Sequence, residues 1–131
     1  MNVTVVVQKQ AGEKSCSCYV KEDLGKAVLS GYGPTADAAV SDMLAARQEM
    51  IGMGIDVPEL EMTFVYDLWA FFDKFPLNAT AVAAWIGINP SLMRQYLSGA
   101  RKPSKARMKQ IEDGVRRIAL QMADAPLTTG F

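Results

Sequence analysis

The chain has 131 residues, half of them apolar, with 14 basic and 14 acidic residues and a net charge of zero. That size bounds it to one domain or two very small ones, with enough apolar mass for a packed core and no sign of wholesale disorder. No apolar run reaches the roughly 18 residues of a transmembrane helix, and the absence of histidine removes the commonest metal ligand and general base. The opening "MNVTVVVQKQ" carries no charged segment ahead of its apolar run, so it reads as a strand rather than a signal peptide. The expected setting is cytoplasmic and soluble, with no membrane contact.

In chain order, "NVTVVVQK" (2–9) predicts a strand with Val3, Val5 and Val7 on one face. "AGEK" (11–14) is a candidate hairpin turn, and "SCSCYVKE" (15–22) alternates as a second strand. "KAVLSGYG" (26–33) gives a short third strand ending in glycine. The period then becomes helical over 34–54. Thr35 is placed to cap that helix, and Asp37 sits in its first turn, where the dipole favours a negative charge. Val40, Met43, Leu44, Arg47 and Ile51 define its mostly apolar side, and Gly52 and Gly54 end it. "LEMTFVYD" (60–67) is a fourth strand. The first part is therefore β-β-β-α-β, an α+β unit with one helix on a small sheet.

From Asp67 onward every segment reads helical. "DLWAFFDKF" has Asp67 as cap and a dense apolar cluster of Leu68, Trp69, Phe71, Phe72 and Phe75, stopped by Pro76. "NATAVAAWI" (78–86) is a short helix of small residues, and Gly87 and Ile88 make a turn. Asn89 is a strong N-cap, Pro90 suits the first helical position, and Gly99 closes the helix 90–98. A Ser104-capped amphipathic helix runs to about Asp124, with Met108, Ile111, Val115, Ile118 and Met122 at spacings of three and four. The tail "APLTTGF" (125–131) is uncapped and expected to fray. The chain thus divides into an α+β unit over 1–66 and an all-α unit over 67–131.

Charge follows a similar division. Residues 1–76 hold six basic against eleven acidic residues, a balance of −5; residues 77–131 hold eight against three, a balance of +5. A localised cationic segment points toward a polyanion even when the average is zero. Cys16 and Cys18 alternate onto one strand face. They are too few for a four-ligand zinc site and poorly placed to bridge, so they read as small buried thiols. No phosphate-binding glycine motif, paired acids in motif spacing or nucleophile elbow is present, and no catalytic residue, metal or cofactor is expected.

A short helix, a glycine turn and a second short helix are the makings of a helix-turn-helix. In the second helix Met93, Tyr96 and Leu97 can face the core with Ile88. Ser91, Arg94, Gln95 and Ser98, at i, i+3, i+4 and i+7, then form the opposite stripe. Arginine can bond guanine O6 and N7, and glutamine adenine N6 and N7. Asn78, Arg101, Lys102 and Lys105 lie at helix ends and in the following loop, where phosphate contacts usually arise. An ordinary helical hairpin whose polar stripe faces water would show the same pattern.

"AVAAWIGINPSLMRQYLSGARKPS" resembles the helix-turn-helix of the XRE/phage-repressor class, over roughly residues 67–115. The resemblance implies that Pro90, Ser91, Arg94 and Gln95 read bases and that Asn78, Arg101 and Lys102 meet the backbone. Two departures stand out: the glutamine that often opens the second helix is absent, with Thr80 near its place, and one long helix after Lys105 replaces two. The front part, with "SGYGPTADAAVSDMLAARQEMI", is similar to the antitoxin domain of the HicB family, a degenerate RNase H-like fold. That resemblance implies a partner, a HicA-like mRNA-cleaving toxin, together with oligomerisation and repression of the protein's own operon. The first strand lacks the acid that RNase H chemistry requires, so nuclease activity is not expected.

The combined expectation is a HicB-like antitoxin and transcriptional repressor. It binds a double-stranded DNA operator as a homo-dimer or higher homo-oligomer. A stand-alone regulator, whose N-terminal unit only oligomerises or binds a small ligand, and a protein-interaction module without DNA binding are the alternatives; an enzyme has the least support.

Overall fold

The computed structural model describes residues 1–10, 12 and 14–130. Within the 11–14 turn, Ala11 and Glu13 lie outside the described residues, as does Phe131 at the end of the tail. The elements are β1 (Asn2–Lys9), β2 (Cys16–Val20), β3 (Ser30–Gly33), α1 (Ala36–Gly52), β4 (Glu61–Tyr66), α2 (Leu68–Lys74), α3 (Ala79–Ile86), α4 (Pro90–Ser98) and α5 (Lys105–Asp124). The chain is mixed α+β and forms two compact units, Met1–Pro76 and Leu77–Phe131.

In the first unit the sheet order is β3-β2-β1-β4. β1 and β2 are antiparallel, as are β2 and β3, whereas β4 runs parallel to β1. A parallel return cannot be made by a hairpin, so α1 crosses over one face of the sheet to deliver β4. Alternation sends Val3, Val5, Val7, Cys16 and Cys18 into the core under that helix, with Leu29 and Met43 also buried.

The buried face of α1 overlaps the expected one at Met43, which is buried, and at Val40, which packs partly buried on the core, but is rotated from it. Ala36, Ala39 and Met43 are buried, while Leu44 and Ile51 remain 42% and 43% exposed. Gly31 and Gly33 on β3 explain the rotation. A Cβ at Gly31 would lie 2.2 Å from the Ala39 carbonyl oxygen, and one at Gly33 would lie 2.7 Å from the Ala38 Cβ. Helix and sheet approach so closely that only small side chains fit between them, and the alanine face of α1 turns inward in place of the leucine face. The third strand is also shorter than expected: Leu24 and Ala27 form an isolated bridge before it, and pairing begins at Ser30.

The boundary between units falls after Pro76 rather than after Tyr66. Three features tie α2 to the sheet unit. Asp67 caps α2 through Oδ1, which accepts from the Ala70 amide at 2.8 Å, and its Oδ2 accepts from the Lys9 amide at the end of β1 at 2.9 Å. Asp73 accepts from the Ala36 amide, in the first turn of α1, at 2.7 Å. Ala70 is fully buried with the sheet core. Asp67→Ala should therefore cost about 2 kcal/mol, a lost cap plus an orphaned strand amide, and Asp67→Asn less. Chemical denaturation of the three proteins checks the order.

In the second unit α3, α4 and α5 pack around Val82, Ala83, Ile88, Met93 and Ile111, all buried. The expected caps are present: Asn89 accepts from Ser91 and Ser104 from Arg107, and Asn78 also caps α3, accepting from Ala81. α5 is one continuous helix of 20 residues. No helix among the described residues is long and apolar enough to cross a membrane.

Candidate nucleic-acid interface

The site is built on the α3–turn–α4 segment. α3 ends at Gly87, whose left-handed φ of 84° lets the chain turn sharply while its amide closes the helix onto the Ala83 and Ala84 carbonyls. Ile88 follows, buried, and its amide bonds the Ala83 carbonyl at 2.8 Å. Asn89 then starts α4, with Pro90 in the first helical turn. The rotation of α4 is fixed by Met93, which is fully buried, with Tyr96 and Leu97 half-buried beside it.

That rotation leaves Ser91, Arg94, Gln95 and Ser98 exposed, while Pro90 is half-buried. The stripe is ordered. An Arg94 guanidinium nitrogen donates to Ser91 Oγ at 2.9 Å, and Ser98 Oγ donates to the Gln95 carbonyl at 3.1 Å. Arg94 keeps most of its five N–H donors, and Gln95 has its whole amide available, so both retain the two-pronged pattern that base edges require. Ser98 is occupied in closing the helix, since it also accepts from the Ala100 amide at 3.3 Å.

The other expected residues lie in the same unit, Asn78 at the start of α3, where it also lines a groove with Trp85, Gln121 and Met122, and the basic residues after α4. Asn78 caps α3 through its carbonyl oxygen, which leaves its amide donors for an anion at that helix start. Arg101 and Lys102 follow the left-handed Gly99, and the Arg101 amide bonds the Gln95 carbonyl at 3.2 Å, holding the basic loop against the end of α4. Lys105 opens α5. Arg101, Lys102 and Lys105 are exposed, and no ion pair occupies Arg94, Arg101, Lys102 or Lys105 among the described residues.

Some features were not legible from spacing. A Cβ at Gly114 on α5 would lie 2.3 Å from Ile86 Cγ2, so the α3–α5 contact needs a glycine there. Trp85 is 50% exposed, with the Arg117 guanidinium 6.0 Å from its ring centroid. An apolar helix period marks both Trp85 and Ile86 as candidates for burial and cannot say that Trp85 stays out.

The two thiols stand apart from any reactive site. Cys16 and Cys18 are buried and unbridged, and Cys18 Sγ donates to the Ala39 carbonyl at 3.3 Å. Burial pushes both up to about 11, helped at Cys16 by the Asp67 and Asp73 carboxylates. At pH 8 the folded thiols should react with a soluble thiol reagent roughly 100-fold more slowly than those of the denatured chain. The fold holds them protonated, so their contribution to stability is complete below the unfolded value near 9 and is lost as pH rises to about 11. A melting series across pH 8–11 should steepen downward in the parent more than in a Cys16→Ala/Cys18→Ala variant. Comparison with family models, with curated proteins and with solved structures finds no match to this chain.

Proposed function

We propose that the chain is a sequence-specific DNA-binding repressor of the antitoxin type, with its helical unit on the operator and its sheet unit on a partner protein. The observation that carries the DNA reading is the α4 stripe. Ser91, Arg94 and Gln95 stand on one exposed helix face, held by the buried Met93 and Ile88 and followed by Arg101, Lys102 and Lys105, which have no ion pair among the described residues. Direct readout needs amide and guanidinium donors on a helix face, and affinity needs phosphate contacts beside them.

The partner reading rests on the resemblance to HicB antitoxins. The β-β-β-α-β order of the first unit supports it, as does its acidic balance, which suits a basic toxin. The sheet's two edges, β3 and β4, are available for strand pairing. Dimeric binding to a symmetric operator would give two α4 helices adjacent half-sites. The test is selection of the intact chain against random duplex pools at two salt concentrations, with sequencing of the bound fraction. An enriched palindrome with steep salt dependence is expected. No enrichment at either salt would overturn the operator reading and leave protein docking as the role of the helical unit.

A further inference from the structure

The close seat of α1 on β3 has a counterpart at the other edge of the sheet. Gly31 and Gly33 let the helix settle onto β3, and β4 lies at the opposite edge, beyond β2 and β1. On β1 the inward residues Val3, Val5 and Val7 are buried. On β4 the inward residues Met62, Phe64 and Tyr66 are only half-buried. The space so left is a cleft of about 220 Å³ between α1, β4 and the end of α2. Ala36 and Val40 from α1 and Phe64 from β4 line it with apolar surface. Tyr66, Asp37 and Lys74 bring the polar atoms. The Tyr66 ring meets the Phe75 ring edge-on, with centroids 6.1 Å apart, which limits its rotation.

The charges at the rim indicate what fits. Lys74 Nζ lies 2.6 Å from Asp37 Oδ1, and neither group has another ion-pair partner among the described residues. Their side chains are 35% and 70% exposed. A pair this open to water contributes little to stability, so a ligand can part it at small cost. Such a ligand must answer both charges. An anion alone would leave Asp37 unpaired beside it, and a cation alone would do the same to Lys74. A molecule that carries a carboxylate and an ammonium on one carbon pairs with both, in charge-assisted hydrogen bonds, and leaves the net charge of the rim unchanged. Its remaining body must be apolar to match Ala36, Val40, Phe64 and the Tyr66 ring. It must also be small, because pockets for drug-sized ligands start at about 300 Å³.

We infer that this cleft binds a free α-amino acid with an apolar side chain, its carboxylate on Lys74, its ammonium on Asp37 and its side chain against Val40 and Phe64. The cleft lies wholly in the sheet unit and stands apart from the operator reading.

The test is titration of the isotope-labelled full chain with leucine, methionine and phenylalanine, followed through its backbone amide NMR shifts. At least one should bind saturably and move the amides of Asp37, Val40, Phe64 and Lys74 together. For the tightest of them, the des-amino acid and the decarboxylated amine should each bind about 10-fold or more weakly, since each leaves one rim charge unanswered. Glycine, which has the charges and no apolar body, should not bind in the millimolar range. Lys74→Met and Asp37→Asn should each weaken binding by a similar factor, with denaturation midpoints close to the parent because the pair is exposed. The ligand series on the parent chain decides the matter even if a variant folds poorly. No saturable shift with any of the three amino acids, analogues or glycine that bind as tightly, shifts confined to other residues, or folded variants that bind like the parent would each overturn the site. Operator selection is independent of these outcomes. Amino-acid binding with no enriched DNA supports the cleft and removes the operator reading, and an enriched operator with no amino-acid binding overturns the cleft alone.

Discussion

Gly31→Ala is expected to destabilise the sheet unit by about 3 kcal/mol, near the upper end of what over-packing costs. The reason is the identity of the atoms the new methyl would meet. Its Cβ would lie 2.2 Å from the Ala39 carbonyl oxygen, 2.6 Å from the Met43 amide nitrogen and 2.9 Å from the Met43 Cβ. The first two are backbone atoms in the middle of a 17-residue helix and cannot move by a change of rotamer. Relief requires α1 to lift from β2 and β3, which uncovers Met43 and Cys18, both buried. Gly52→Ala is the matched control, because a Cβ there meets nothing within 4 Å; it should be neutral or slightly stabilising. Trp69 lies in the first unit and Trp85 in the second. Denaturation followed by fluorescence in a Trp85→Phe background therefore reports the sheet unit alone. A loss below about 1 kcal/mol would mean that α1 sits farther from β3.

That glycine also marks where sequence reasoning stopped. The element order, the caps at Thr35, Asp67, Asn89 and Ser104 and the single long final helix follow from local chemistry. An N-cap satisfies backbone amides a few residues away and so leaves its mark within one turn. The direction in which α1 faces does not. Val40, Met43, Leu44, Arg47 and Ile51 form the more apolar side of the isolated helix, and Met43 and Val40 do meet the core, yet Ala36 and Ala39 go inward with them in place of Leu44 and Ile51, because β3 presents glycines. That choice is made by a contact between residues distant in sequence, and no period within the helix carries it. The assignment of α2 failed for a similar reason. Its aromatic content suits any core, and what fixes it to the sheet are two carboxylates, Asp67, shared between its own cap and the Lys9 amide of β1, and Asp73, which accepts from the Ala36 amide of α1, with Ala70 buried in the sheet core. The α4 stripe was readable because a single buried residue, Met93, sets the rotation of a short helix and Asn89 sets its start.

Arg94→Ala with Gln95→Ala is expected to abolish discrimination between the operator and unrelated DNA. Each two-pronged base contact contributes about 1–3 kcal/mol of discrimination, so the pair should reduce specific affinity by about 30-fold at the least and about 20,000-fold at the most. Arg94 carries an additional structural load. Its bond to Ser91 Oγ at 2.9 Å aligns the guanidinium before DNA arrives. Ser91→Ala should thus weaken recognition through Arg94 while leaving the helix intact, since the cap of α4 belongs to Asn89 and the Ser91 amide. Both altered side chains are exposed, so loss of binding with unchanged denaturation midpoints assigns the effect to recognition. Arg101→Ala with Lys102→Ala should behave differently. These residues lie in the loop after Gly99, where a cation meets phosphates irrespective of sequence, and their removal should weaken all duplexes alike. The logarithmic salt dependence should flatten by about one unit for each lost contact. Titrations of operator and scrambled duplexes at several salt concentrations separate the two classes. If the Arg94/Gln95 variant instead lowers both affinities equally and flattens the salt slope, α4 lies along the backbone rather than in the major groove, and the bases are read by another part of the unit.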